Sequence, residues 1–225
     1  MKRLQDLEER KWQFHSLGAL EGIISGPEKP REVILLLHGL NERGRRIYRK
    51  LLPYLPQDAL IVSPNGLFPL PRYKEDKLDF GYAWYFWDKF KKSYVINQDL
   101  AKNWLKELLS QVNPTHLPVT IIGFSQGGYL APLAGLMLPE TKLVIGLGCE
   151  FRSTLLPPSC PFPLVGVHGE QDDIVSAQSS KHEFNLLKER GYVGEWHSVD
   201  ARHEINKEMG QKVKEILEQY GKTSL

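Results

Sequence analysis

Six short apolar runs punctuate the chain: VILLLHG (33–39), ALIVSP (59–64), PVTIIGFS (118–125), KLVIGLGC (142–149), FPLVGVHG (162–169) and EWHSVD (195–200). Only the last alternates clearly. The others are apolar at nearly every position, which is how strands covered on both faces look. Between the runs lie segments with apolar residues three and four apart: RRIYRKLLPYL (45–55), YVINQDLAKNWLKELLSQV (94–112), QGGYLAPLAGLML (126–138), SSKHEFNLLKERG (179–191) and EINKEMGQKVKEILEQYG (204–221). That period predicts helices. Arg190 followed by Gly191 predicts where the fourth stops. The fifth places Ile205, Met209, Val213, Ile216, Leu217 and Tyr220 on one stripe, so it should pack on a sheet. Strands alternating with helices predict an α/β fold with a mostly parallel central sheet flanked by helices.

Two stretches break the alternation. Within residues 1–31, WQFHSL and LEGIIS, separated by GA, predict an antiparallel hairpin at one edge. Residues 66–93 form a long connection dense in aromatics, with Tyr82, Trp84, Tyr85, Phe86 and Trp87. A connection of that length without clear structure of its own is often functional. The alternation of Tyr82, Trp84 and Phe86 fits equally a strand packed on the core and a wall lining a site. No internal repeat or linker is visible, so residues 1–225 are expected to form a single domain.

Composition narrows the function classes. The chain has 225 residues, 41% hydrophobic and 25% charged, with a formal net charge of +2. That balance gives no global nucleic-acid or membrane footprint, and the basic cluster Arg43–Lys50 reads as a solvated helix face. No apolar run approaches the roughly 20 residues that span a bilayer. The first residues lack the apolar core of a secretory signal. Two cysteines, Cys149 and Cys160, are too few for a disulfide framework and fit a reducing compartment. The expectation is a cytoplasmic protein with no nucleic-acid partner and no stable membrane association. No His/Cys pair has ligand spacing and no phosphate loop appears, so neither metal nor cofactor is expected.

The candidate chemistry lies in Gly123-Phe124-Ser125-Gln126-Gly127. G-x-S-x-G is weak alone, but here an apolar strand precedes it and a helical run follows, the setting of a nucleophile elbow. Side chains two residues to either side of the serine would collide in so tight a turn, hence glycine. A serine hydroxyl needs a histidine to take its proton, and that histidine needs an orienting acid. In this order of elements the acid and then the histidine follow the serine. His203, in the polar loop DARHEI after the last strand, is placed to reach over the sheet edge. His197 within a strand and His182 within a helix read as structural, and His168 as shaping the acid loop. The loop VHGEQDDIVS offers Asp172 and Asp173, with Glu170 a weaker option; composition does not choose among them. An oxyanion hole requires two backbone N–H donors, expected from Gln126 and from Leu40, just after His38-Gly39. Cys149 reads as a buried, inert thiol.

The pieces LHGL, GFSQGG, HGEQDDIV and RHEI together resemble the phospholipase/carboxylesterase branch of the α/β-hydrolases, which includes acyl-protein thioesterases. Their order and spacing cover about residues 33 to 220. The resemblance implies an α/β-hydrolase fold and a serine esterase acting on a small-molecule ester or acylated substrate; a bare core of that fold uses nearly all of these residues, so no large lid domain is expected. It implies Asp172 as the acid, since the family's acid loop reads H-G-x-x-D-x-x-V. It also implies Trp84, or Trp87, as the family's tryptophan before the elbow, and with it a substrate-binding stretch at Trp84, Tyr85 and Phe86. Two departures stand out. Asn41-Glu42 replaces the usual Gly-Asp after LHGL, and Ser176 stands where proline is common.

Overall fold

Residues 14–15, 19–74 and 76–221 are described by a computed structural model. In chain order its elements are β1 (Phe14–His15), β2 (Ala19–Leu20), β3 (Gly22–Ser25), β4 (Glu32–Leu37), α1 (Gly44–Leu51), β5 (Ala59–Pro64), β6 (Phe68–Lys74), β7 (Lys77–Ala83), β8 (Phe86–Asp88), β9 (Ser93–Ile96), α2 (Asp99–Val112), β10 (Val119–Phe124), α3 (Gln126–Gly135), β11 (Thr141–Leu147), β12 (Leu164–Gly169), α4 (Ala177–Glu189), β13 (Gly194–Val199) and α5 (Lys207–Gly221). Seven strands form one sheet in the order β13-β12-β11-β10-β4-β5-β3. Neighbours run parallel except β3, which lies antiparallel to β5 at the edge.

The unbroken apolar runs are explained by the two faces they serve. Successive strand residues point to opposite sides. Val33, Leu35 and Leu37 of β4 therefore enter one core and Ile34 and Leu36 the other. The first core is closed by Ala101 and Leu105 of α2, Leu130 and Ala131 of α3, and Phe184 and Leu187 of α4. The second is closed by Ile47, Tyr48 and Leu51 of α1 and Met209, Val213 and Ile216 of α5, the stripe expected of the last helix. Gly191, with φ +86°, ends the fourth helical segment in the left-handed region that favours glycine.

Three expectations need correction. β1 and β2 pair with each other, but β3, expected to belong to that hairpin, joins the main sheet, where Ile24 and Ile23 are buried in the two cores. The rest of the expected opening hairpin lies outside the described residues. The second helical segment begins at Asp99, not Tyr94. Ser93–Ile96 is a strand paired with Phe86–Asp88, as its β-branched residues favour, and the Asn97 carboxamide accepts the Asp99 N–H just as the helix starts. Finally, residues 66–93 are not structureless: they fold into two hairpins, β6–β7 and β8–β9.

Candidate active site

All parallel strands end at one edge of the sheet, and the predicted residues gather there, as ligand sites of such sheets do. Ser125 closes β10 and opens α3 at φ +48°, ψ −118°, a strained conformation for a residue with a side chain. Its backbone is held from both sides. The Ser125 N–H donates to Leu147 O (2.8 Å), and its carbonyl accepts from Gly128 N (2.8 Å) and Tyr129 N (3.1 Å). The flanking glycines are required by contact with backbone. A Cβ on Gly123 would stand 2.2 Å from Gly127 O, and one on Gly127 would stand 2.2 Å from Leu37 O.

His203 Nε2 lies 2.9 Å from Ser125 Oγ, and His203 Nδ1 lies 2.8 Å from Asp172 Oδ2. A carboxylate only accepts, so the imidazole proton sits on Nδ1 and the Nε2 lone pair faces the serine. The Asp172 side chain has no exposed surface, and a buried carboxylate needs its oxygens occupied. Oδ1 accepts the N–H groups of Ile174 (2.9 Å) and Val175 (2.8 Å). Oδ2 also stands 3.3 Å from His168 Nε2, whose proton goes to Val175 O at 2.9 Å. His168 therefore braces the acid loop. Asp173 and Glu170 are exposed, and Glu170 accepts from Ser198 Oγ instead. His182 is exposed on α4, and His197 on β13 stands beside Glu195. Ser176, the departure from proline, caps α4 by accepting Ser179 N–H (3.2 Å).

The loop after β4 is built around one peptide N–H. Gly39 N–H donates to Glu42 Oε2 (3.1 Å), Asn41 N–H to Tyr82 O (2.9 Å), and Glu42 N–H to Gly39 O (3.2 Å). Among the described residues no hydrogen bond takes up the Leu40 N–H. The Gln126 N–H opens α3, where no intrahelical acceptor exists. Asn41-Glu42 thus does the turn's work by its own means. Asn41 adopts φ +59°, which asparagine tolerates better than other non-glycine residues, and Glu42 fixes the Gly39 amide while pairing with Arg46 Nε at 2.7 Å.

Beneath this loop, His38 is fully buried. Its Nε2 accepts Gly66 N–H (2.8 Å), which leaves the proton on Nδ1 for Gly39 O (2.7 Å). Burial holds its pKa down at about 4, so the ring stays neutral. Trp84 Nε1 donates to His38 O (2.8 Å), while the Gln126 side chain accepts from Trp84 N and donates to Tyr85 O (both 2.9 Å). The expected substrate-binding stretch Trp84, Tyr85 and Phe86 lies against this network. Trp84 has no exposed surface and Tyr85 is 7% exposed, and their hydrogen bonds join the elbow to the loop after β4. Phe86 stays half-buried against Phe68. Cys149 is buried behind the elbow, with burial pushing its thiol up.

Sequence reasoning missed the roles of His38 and Glu42. An acidic residue three positions after Gly39 was a usable signal for Glu42; His38 carried none. A shallow hollow lined by Phe124, His203, Arg46 and Lys50 adjoins the site, and a second lies along α3, lined by Tyr129, Pro132, Gln98 and Arg152. Among the described residues no group of three or more His, Cys, Asp or Glu side chains is placed to hold a metal, and no helix is long and apolar enough to cross a membrane.

Comparison with known proteins gives the family. Residues 19–220 match the phospholipase/carboxylesterase family, and the chain belongs to it. It is 26% identical over 172 residues to acyl-protein thioesterase 1 homolog 1 of Dictyostelium discoideum, covering 72% of each chain. Among solved structures, esterase PE8 superimposes with a TM-score of 0.73 at 22% identity, over 89% of this chain and 99% of that one. Zea mays acyl-protein thioesterase 2 does so with a TM-score of 0.67 at 20% identity, over 95% and 99%. The fold is that of the α/β-hydrolases, no lid domain is evident among the described residues, and the protein is a hydrolase of the esterase and thioesterase type.

Proposed function

We propose that this protein cleaves carboxylic esters through an acyl-enzyme formed on Ser125. The observation that supports it most is the unbroken chain Ser125 Oγ, His203, Asp172 at 2.9 and 2.8 Å. Ser125 Oγ attacks the acyl carbon as His203 Nε2 takes its proton, and Asp172 orients the imidazole and stabilises its charged form. The Leu40 and Gln126 N–H groups receive the negative charge that develops on the carbonyl oxygen. Collapse of the tetrahedral intermediate breaks the bond to the alcohol, which leaves with the proton from His203. Water then adds to the acyl-enzyme, giving its proton to the same nitrogen; collapse of this second intermediate breaks the Ser125 Oγ–acyl bond, His203 returns the proton to Oγ, and the carboxylic acid is released. This sequence needs no cofactor. A cytoplasmic setting fits the two free thiols.

The test is labelling by a small neutral fluorophosphonate. Wild type should react stoichiometrically and Ser125→Ala should not; failure of wild type to label rejects the reading. The curated relative is named as an acyl-protein thioesterase homologue, which favours a second reading, thioester cleavage on acylated proteins. Turnover of a matched ester and thioester, each offered free and on an acylated peptide, separates the two.

A further inference from the structure

Two consecutive peptides of the loop after β4 are held at three of their four polar groups. The His38 carbonyl accepts from Trp84 Nε1 (2.8 Å), and the N–H of that same peptide, on Gly39, donates to Glu42 Oε2 (3.1 Å). The Gly39 carbonyl is gripped twice, by His38 Nδ1 at 2.7 Å and by Glu42 N–H at 3.2 Å. The fourth group is the Leu40 N–H, at the far end of the Gly39 peptide, which has no acceptor among the described residues. A peptide is planar and trans, with its C=O and N–H pointing opposite ways. Whatever grips the Gly39 oxygen therefore aims the Leu40 hydrogen, and the shorter of the two grips comes from a side chain. The loop is packed on the elbow from both sides of Ser125. A Cβ on Gly39 would stand 3.1 Å from Phe124 Cδ1, and one on Gly127 would stand 2.7 Å from His38 O.

The His38 ring is built for this one donation. It is fully buried, and Trp84 lies against it with ring centroids 4.9 Å apart. Gly66 N–H donates to Nε2 at 2.8 Å, a bond that only a lone pair can receive. The single proton of the neutral ring therefore sits on Nδ1, facing Gly39 O. Burial, holding the pKa at about 4, keeps the ring in that form; a charged ring would set an Nε2–H against the Gly66 N–H. A bond at the carbonyl end also draws electron density from the N–H end, because hydrogen bonds in a chain polarise one another. The acyl-transfer steps above use the Leu40 N–H and leave the imidazole beneath it without a part.

We propose that His38 is a positioning residue of the oxyanion hole: through the Gly39 carbonyl it aims and strengthens the Leu40 N–H that receives charge in the transition state. It touches no substrate. This rests on the hydrolase reading above, and the experiment keeps the two apart.

Two substitutions divide the work of the ring. His38→Asn keeps a donor at the place of Nδ1, for Gly39 O, and leaves the Gly66 N–H without its acceptor. His38→Gln keeps an acceptor at the place of Nε2, for Gly66, and loses the donor to Gly39. Activity and stability should therefore rank the two variants in opposite orders. His38→Gln should lose about tenfold to a hundredfold in kcat, part of the 10²–10³ that a whole oxyanion donor is worth. Its KM should stay within about threefold of wild type, as expected when an interaction made in the transition state is weakened. His38→Asn should recover most of kcat, yet unfold at lower urea than His38→Gln. Affinity for a trifluoromethyl ketone, whose adduct on Ser125 carries the oxyanion, should fall in step with kcat. Unchanged kcat in His38→Gln overturns the proposal; so does a loss carried by KM alone, or a loss of kcat that follows urea stability across both variants. If neither variant folds, wild type decides by nuclear magnetic resonance with isotope-labelled histidine. The His38 Nδ1 proton should move downfield when the ketone adduct forms, since charge at the N–H end of the peptide strengthens the bond at its carbonyl end; an unmoved proton rejects the role. Wild type labelled by the neutral fluorophosphonate keeps the hydrolase reading whichever way the His38 variants fall, whereas absent labelling removes that reading and this one with it.

Discussion

Replacing Asp172 by asparagine should abolish most activity while leaving the fold in place. In the native site Oδ1 accepts two peptide N–H groups, from Ile174 and Val175. The oxygen of the new carboxamide must take that position, because an NH2 there would face two donors. The NH2 is then forced into the Oδ2 position, 2.8 Å from His203 Nδ1. A donor at that place demands a lone pair on Nδ1, so the imidazole proton moves to Nε2 and confronts the Ser125 hydroxyl. The base is then in the wrong tautomer. Loss of kcat should be about 10³–10⁴-fold, or roughly 4–5.5 kcal/mol of transition-state stabilisation. Stability should suffer far less, by about 1–2 kcal/mol, since both amides keep their acceptor. A chromogenic ester assayed at saturation, beside urea unfolding of the same samples, measures both quantities. Asp173→Asn is the control, expected within about twofold of wild type because Asp173 is exposed. If Asp172→Asn retains more than a tenth of wild-type kcat with the fold intact, the tautomer reasoning is wrong.

The buried His38 should make stability depend on pH. Its pKa is about 4 in the folded chain against an ordinary 6.5, so between these values the unfolded chain binds more protons. The contribution of neutral His38 is complete above about pH 6.5 and is lost as pH falls towards 4, up to ~3 kcal/mol. Urea midpoints for wild type and His38→Gln should therefore converge as pH drops from 7 to 4.5, and a constant gap would refute this. Gln126→Leu should cost about 2–5 kcal/mol and lower kcat, because it strands the Trp84 N–H and Tyr85 carbonyl while the Gln126 peptide N–H stays in place; a change below about 0.5 kcal/mol in urea unfolding would show that those bonds are not holding the segment.

Ser125 and His203 were legible in the chain because each sits at a junction that the hydrophobic pattern itself marks. One lies where an apolar run meets a helical one, the other between the last strand and the last helix. The choice of Asp172 over Asp173 was not in the composition of the loop; family resemblance suggested it. Geometry gives the physical distinction, since Asp172 meets two peptide N–H groups and His203 while Asp173 faces solvent. The aromatic stretch was open in the sequence between a strand packed on the core and a wall lining a site; in the structure Trp84 is spent on the His38 carbonyl and on packing.

By itself the sequence determined the alternation of parallel strands and helices that builds the main sheet and its two covered faces, and the turn that needs glycine before and after the serine. Those depend on neighbours along the chain, on a period of two or of 3.6, and on what a tight turn sterically admits. Tertiary structure alone decided the network among His38, Gly66, Trp84 and Gln126 and the approach of the Arg152 guanidinium to the Trp87 and Tyr129 rings. It also decided that Leu40 keeps the unclaimed N–H. These depend on partners up to 65 residues away (Trp87 and Arg152) and on the direction of single donors and acceptors, and no local pattern encodes the direction of a donor towards a distant acceptor.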